Sequence, residues 1–263
     1  CTFPSIPNVP DHPDLRTGAV YGTGKREENL RGYFAAISAM DEQIGRLLDA
    51  VEEQGLADNT VILFTADNGM SMGQHGVWGK GNGTFPMNMY DSAVKVPFLI
   101  SWPGHIPANT VCSEMISACD LLPTILKLTG LSDKQPTGLP GRSFTELLKG
   151  EQREHRDEVV IFDEYGPVRM IRTKEWKYVH RYPYGKHELY HLVDDPGEEK
   201  NLYGLPEYKK LVTQLKGRME KWFCTYSDPA IDGVRSAVNG SGQLCRPGVY
   251  AIYEDPFAPK GVE

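Results

Sequence analysis

Residues 61–80, VILFTADNGMSMGQHGVWGK, constrain this chain more than any other stretch. The apolar run Val61-Ile62-Leu63-Phe64, followed by turn residues, predicts a buried strand of a parallel sheet. The character then changes at once: a carboxylate, an amide, glycines, an imidazole and an amine follow within the span Asp67 to Lys80. In open α/β sheets ligands collect at the carboxyl ends of strands, and Asp67 and Asn68 stand at such an end. Their side chains offer hard oxygens, the donors that Ca²⁺ or Mg²⁺ takes. Gly69 and Gly73 give the backbone freedom to close over a bound group. Taken alone, Asp67-Asn68-Gly69 also reads as an ordinary turn after a strand.

The flanking segments supply the layers such a strand needs. Tyr33, Phe34, Ile37, Met40, Ile44, Leu47, Leu48 and Val51 recur at helical spacing and predict one long amphipathic helix, with Gly55 as its C-terminal cap. Val94 to Trp102 predicts a second strand, with Pro97 at its edge. Ser117 to Thr129 predicts a helix with Pro123 in its first turn and Gly130 beyond its end. A charged run from Gly150 to Asp157 marks a boundary. Beyond it, four short strand-like pieces at 159–162, 168–172, 176–180 and 188–192 predict an antiparallel meander, and 207–223 an amphipathic helix. Tyr178, Tyr182, Tyr184 and Tyr190 read as a strand-packing set. The segment to about residue 28 and the tail from Thr225 show no sustained period.

Bulk properties exclude several classes. A net charge of −7 argues against a general nucleic-acid binder. No apolar run is long enough to span a membrane. Five cysteines without a C-x-x-C pair fit neither a disulfide framework nor a zinc ribbon. Cys224 and Cys245 flank a loop-rich stretch, and pairing and free thiols both remain open. Cys1-Thr2-Phe3-Pro4 has no initiator Met and no signal-peptide pattern. The expectation is a piece of a longer protein, with the compartment unfixed and a periplasmic or secreted setting in view.

Six motifs then occur in order: YFAAISAMDEQIGRLL, TADNG, GQHGVWGKG, VKVPFLISWPG, CDLLPTILKLTG and ELYHLVDDPGEEKNL. In that order they resemble the sulfatases, the formylglycine-using, calcium-dependent group of the alkaline-phosphatase-like superfamily. The resemblance covers roughly residues 30–220. It implies an α/β fold: an alkaline-phosphatase-like mixed sheet flanked by helices, of which 1–150 is the second half of the catalytic domain. A small antiparallel sheet plus helix subdomain over 151–263 follows it. The family's calcium ligands after this strand match Asp67 and Asn68, and Mg²⁺ is the alternative ion. The family's sulfate-contacting lysine, thirteen residues beyond that Asp, matches Lys80. His75 matches a histidine common in the G-x-H-G segment and is assigned to the substrate or leaving-group oxygen. His105, His155, His180, His187 and His191 follow no ligand spacing and read as structural or surface residues.

One departure is large. The nucleophile motif C/S-x-P/A-x-R is absent at every cysteine, and the paired N-terminal aspartates of the family are missing too. The resemblance therefore implies a C-terminal portion that supplies part of a metal and sulfate site and is inactive alone. Its expected partners are the N-terminal half of the same protein and a sulfated small molecule or carbohydrate. A phosphate or phosphonate monoester hydrolase and a catalytically inert cation-binding domain are the rival readings.

Overall fold

The computed structural model describes residues 10, 12, 13, 15–17, 26–81, 84–151, 154–163, 166–182, 185–230 and 232–234. The predicted helix forms as α1, Arg26–Glu53, opened by Glu27 and Glu28 and closed by Gly55 at φ 64°. Acidic residues in the first turn suit the positive end of the helix dipole. Only Leu30 of this helix is buried. Ile37, Met40, Leu47 and Leu48 of the stripe are exposed, Leu47 by 67%.

The strand at the end of which Asp67 lies is β2, Ile62–Thr65. The expected parallel, buried setting is corrected here. β2 is half-buried along its length and pairs antiparallel with Phe98–Ser101, with Phe64 opposite Leu99 and Ile62 opposite Ser101. A short apolar run carries no information on the direction of its partner, which long-range pairing alone decides. Four short elements lie between these strands, and one more, β1, precedes α1. They are labelled in chain order with their partners: β1 (Arg16–Thr17), β3 (Ser71–Met72), β4 (Trp78–Gly79), β5 (Thr84–Phe85) and α2 (Asp91–Val94), with β6 the strand Phe98–Ser101. β3 pairs antiparallel with β4, and β1 with β5. Pro97 stands just before β6 as expected. Helix α3, Leu121–Leu128, is entered through a short 3₁₀ turn, Ala118–Asp120, whose cap is Ser117. The Ser117 side chain accepts from the Cys119 amide while Asp120 accepts from the Ser117 amide, a reciprocal capping box. α4, Thr145–Leu148, is one turn.

The meander forms as read. β7 (Val159–Phe162), β8 (Val168–Arg172), β9 (Trp176–Arg181) and β10 (Glu188–His191) make one antiparallel sheet in the order β10-β9-β8-β7. Helix α5, Lys209–Tyr226, closes one face. Val160, Ile171, Tyr178, Leu189, Leu215, Met219 and Phe223 form the core beneath it. Alternate residues of the same strands, Val168, Met170 and Val179, pack on the other face against Met87 and Met89. Met170 and Ile171 are neighbours in sequence, both fully buried, and point to opposite faces. The sheet is thus covered on both sides, and the segment before α2 is its second cover. Cys224 is exposed on α5, and Cys245 lies outside the described residues.

The buried end of this sheet holds a pair of stacked imidazoles. The His180 and His187 rings lie 4.0 Å apart at 12°, with Tyr178 Oη 2.7 Å from His180 Nδ1. The Arg181 amide donates to His187 Nδ1 at 3.2 Å. Burial, then the neighbouring imidazole and the charges of Lys216 and Arg169, push His180 down from 6.5 to about 3. Burial and then Arg181 and Lys216 push His187 to about 4. The unfolded chain therefore binds more protons than the folded one between these values and 6.5. This part of the stability is fully present above pH 6.5 and is lost as pH falls below it. At pH 5, His180 alone accounts for about 2 kcal/mol. Urea midpoints at pH 7.5 and pH 5 measure it, and His180→Gln should flatten the difference. An unchanged slope in that variant would refute the assignment.

Candidate functional site

The site begins where β2 ends. Asp67 is exposed, and its Oδ1 accepts from the Asn68 amide at 2.8 Å. Asn68 is half-buried and donates from Nδ2 to the Gly69 carbonyl at 2.9 Å. That bond leaves the amide oxygen of Asn68 as the group directed elsewhere. Both bonds lie within Asp67-Asn68-Gly69, as the turn reading of these residues expects.

This corner is fixed from behind by α2. The Gly69 amide donates to the Ala93 carbonyl at 2.8 Å, and Ser71 Oγ bonds Ser92 Oγ at 2.7 Å. A Cβ on Gly69 would lie 2.2 Å from the Ser92 carbonyl oxygen, so only glycine permits this approach. α2 is held in turn by buried charge. Lys177, fully buried on β9, places Nζ 2.5 Å from Asp91 Oδ1 and 2.5 Å from Glu198 Oε1, and donates to the Met89 carbonyl at 3.0 Å. Glu198 Oε2 accepts from the Asp91 amide at 2.6 Å. Burial pushes the Asp91 carboxyl up, but Lys177 and Arg172 outweigh it and hold it below the usual carboxylate range. Burial pushes Glu198 up, and Lys177 only partly offsets this.

Beyond the corner the chain turns through β3 and β4. The register sets Ser71 opposite Gly79, so Lys80 emerges one residue past the last bridge, beside the segment that leads back to Asn68. Lys80 is half-buried. His75 sits in the loop between these strands at φ 56°, a left-handed conformation uncommon for a residue with a Cβ. Gly73, at φ 105°, makes that loop possible. The His75 ring stacks face to face on Tyr90, 3.7 Å away at 4°. Burial lowers its pKa below 6.5, and protonation of the nearby His12 ring would act in the same direction, so the ring is neutral at pH 7. His12 Nδ1 accepts from the Leu15 amide at 2.9 Å, and its Nε2 lies 3.0 Å from Tyr90 Oη. With Nδ1 an acceptor, Nε2 carries the proton of the neutral ring and donates to the phenol.

Asp67, Asn68, His75 and Lys80 therefore come from one strand end and the hairpin that follows it. Sequence reading missed His12 and Tyr90, and it read Tyr190 as strand packing, which its burial on β10 bears out. Tyr90 and Tyr190 share a buried apolar cluster with Leu15, Val77 and Leu192, which fastens the His75 loop to the meander. No local pattern signals His12 or Tyr90, because their partners lie far along the chain. Among the described residues no group of three or more His, Cys, Asp or Glu side chains is placed to hold a metal. Asp67 and Asn68 suit a hard cation by donor type but make only part of the six to eight oxygens that Ca²⁺ takes.

The chain matches known proteins in both sequence and fold. Residues 5–131 match the family model for sulfatases, and residues 73–224 match that for the C-terminal part of N-sulphoglucosamine sulphohydrolases. An ulvan-active sulfatase of Formosa agariphila is 32% identical over 78% of this chain and 40% of its own length. An N-acetylglucosamine-6-O-sulfatase of Bacteroides thetaiotaomicron is 31% identical over 78% of this chain and 37% of its own. Human arylsulfatase A is 33% identical over 74% and 45%. A structure solved with its substrate D-glucosamine-2-N,6-O-disulfate superposes with a TM-score of 0.70 at 29% identity, covering 80% of this chain and 43% of that one. The phosphonate monoester hydrolase of Agrobacterium radiobacter gives 0.64 at 27% identity, covering 77% and 42%. The chain spans about two fifths of the length of the first two curated relatives. The small antiparallel sheets described above thus belong to an alkaline-phosphatase-like fold, and the chain is a member of the sulfatase family.

Proposed function

We propose that this chain supplies part of the metal and sulfate site of a sulfuric ester hydrolase. Residues 1–150 form the second half of its catalytic domain, and residues 151–263 the C-terminal subdomain. The observation that supports this most is that Asp67, Asn68, His75 and Lys80 all lie on the end of β2 and the β3–β4 hairpin that follows it, a segment tied to α2 through Gly69 and Ser71. Asp67 and Asn68 would hold a calcium ion, with Mg²⁺ the alternative. When bound, that ion supplies positive charge for the sulfate oxygens and for a formylglycine nucleophile contributed by the N-terminal half. Lys80 adds a fixed positive charge against an anionic oxygen of the sulfate as charge moves onto the leaving group. His75, kept neutral by burial, is able to hydrogen-bond the ester or leaving-group oxygen at neutral pH. The proposed substrate is a sulfated small molecule or carbohydrate, the class that the relatives' names describe.

The remainder of the catalytic domain is the partner that fits the uncovered apolar residues. Ile37, Met40, Leu47 and Leu48 of α1, Leu99 of β6 and Leu122 and Ile125 of α3 are all exposed. Apolar surface of this kind marks an interface rather than a finished exterior.

The test uses the chain alone and joined to its N-terminal half, with 4-nitrophenyl sulfate. The chain alone should give no turnover. In the joined protein, Lys80→Ala should lower kcat/KM by about 10²-fold, and Asp67→Ala should abolish turnover and its Ca²⁺ dependence. Asp67-dependent hydrolysis by the chain alone, or full activity in Lys80→Ala, would overturn the proposal. The likeness to the phosphonate monoester hydrolase supports a second reading, phosphonate or phosphate ester hydrolysis. Faster turnover of 4-nitrophenyl phenylphosphonate than of the sulfate would favour it.

A further inference from the structure

We infer that Asn88 is the positioning residue for Lys80, an inference that rests on the role of Lys80 given above. Asn88 is fully buried between Met87 and Met89, two side chains of the core under the meander. An apolar residue of that size would fill the place without the cost of desolvating an amide. The amide is there, and each bond its side chain donates goes to the segment that starts at Lys80. Nδ2 donates to the Lys80 carbonyl at 3.3 Å, to the Gly81 carbonyl at 3.3 Å and to Thr84 Oγ1 at 3.0 Å. The Asn88 backbone amide donates to the Gly81 carbonyl as well, at 3.1 Å.

Thr84, almost fully buried, completes the clamp by donating to the Pro86 carbonyl at 2.9 Å. On the other side of Lys80, Gly79 is bridged to Ser71. The backbone of Lys80 is therefore held from both directions, by a strand bridge before it and by one buried amide after it. A lysine side chain has four rotatable bonds and cannot fix itself. Where its charge rests is decided by how firmly its Cα is placed, and small misplacements of a reacting group cost rate steeply. The Asn88 Oδ1 has no hydrogen-bond partner among the described residues. The acceptor end of the amide is thus left unsatisfied, and the donor end is what the site uses.

The joined protein carrying N88A, N88D, K80A or the N88A/K80A pair, assayed with 4-nitrophenyl sulfate, tests this. N88D keeps the volume but presents no N–H. N88A should lower kcat by about tenfold, and N88D, which buries a carboxylate against two carbonyl oxygens, should lower kcat at least as far and the melting temperature as well. In the K80A background, N88A should cost less than about twofold, because residues that act through one another are not additive. A full tenfold loss in that background would overturn the inference while leaving the role of Lys80 intact. An active K80A enzyme would instead sink the role of Lys80, and the inference with it. The chain alone gives a readout independent of turnover: trypsin cleavage after Lys80 should rise about tenfold in N88A, with cleavage after Lys149 unchanged. Unchanged cleavage after Lys80 would also overturn it.

Discussion

Lys177→Met should destabilise the fold by about 3–5 kcal/mol, read as a fall in the urea midpoint at pH 7. Lys177 is fully buried, and its ammonium is the counter-charge of two carboxylates, Asp91 and Glu198. Without that charge the buried Glu198 is left uncompensated and the half-buried Asp91 keeps only Arg172, and removal of one partner costs far more than the intact group contributes. Methionine has nearly the same length, so packing is conserved and the loss reports charge. The double variant Lys177→Met with Glu198→Gln should recover part of the loss, since one of the two stranded charges goes with it. The sign with pH follows from Asp91, whose carboxyl is held low. Its contribution in the parent is fully present above the ordinary carboxylate range and is lost as pH falls through the lowered value. The cost of Lys177→Met should shrink in acid for the same reason. A loss below about 1 kcal/mol would mean that water reaches the pair. Because α2 carries both this charge cluster and the bonds to Gly69 and Ser71, the joined enzyme should also lose calcium affinity in Lys177→Met.

Asp120→Ala should be of similar size, about 3–5 kcal/mol, and should not touch the site. The carboxylate is fully buried and serves three segments at once. Oδ1 accepts from the Arg142 amide at 2.7 Å and from Arg156 Nη2; Oδ2 accepts from the Ser117 amide at 2.9 Å and from Arg156 Nε at 2.6 Å. His155 Nε2 lies 3.3 Å from the same oxygen. Alanine strands a buried guanidinium and removes the Asp120 half of the capping box ahead of α3 together, two mechanisms that produce large losses. Asp120→Asn keeps the shape and some acceptors and should cost roughly half as much. Burial raises this carboxyl, and the bonds from Arg156, Arg142 and Ser117 overcome that and hold it low. The stabilisation is therefore complete at neutral pH and disappears only as pH falls below the ordinary carboxylate range. Guanidinium unfolding of the three proteins at pH 7 and pH 3 checks both magnitude and sign. Equal stability of parent and Asp120→Ala at pH 7 would refute the account.

Several features followed from local pattern. The spacing of Leu211, Leu215, Met219 and Phe223 has one period and one solution, and α5 forms where it runs. The four strands of the meander alternate or run apolar over a few residues with turns between them, and near neighbours in sequence pair. Asp67, Asn68, His75 and Lys80 were singled out as candidates through the resemblance of the ordered motifs, since Asp67-Asn68-Gly69 by itself also reads as an ordinary turn. The six ordered motifs made the family legible as well.

Other features had no local sign. Nothing about Lys177 in the strand WKYVHR announces full burial, since its partners Asp91 and Glu198 lie 86 residues before it and 21 after it in the chain. Asn88 reads as one polar residue in a methionine-rich loop, and Tyr90 as one more aromatic; the clamp on Lys80 and the platform under His75 exist only once β9 and β10 have packed against that loop. The direction of the partner of β2 and the exposed stripe of α1 belong to the same group. By itself the sequence determined which segments become helix or strand and which side chains carry chemistry, because periodicity and turn propensity act over a few residues. The tertiary structure alone decided strand direction, the buried charges and the residues that hold the site in place, because those depend on contacts whose free energy appears only when distant segments exclude water together.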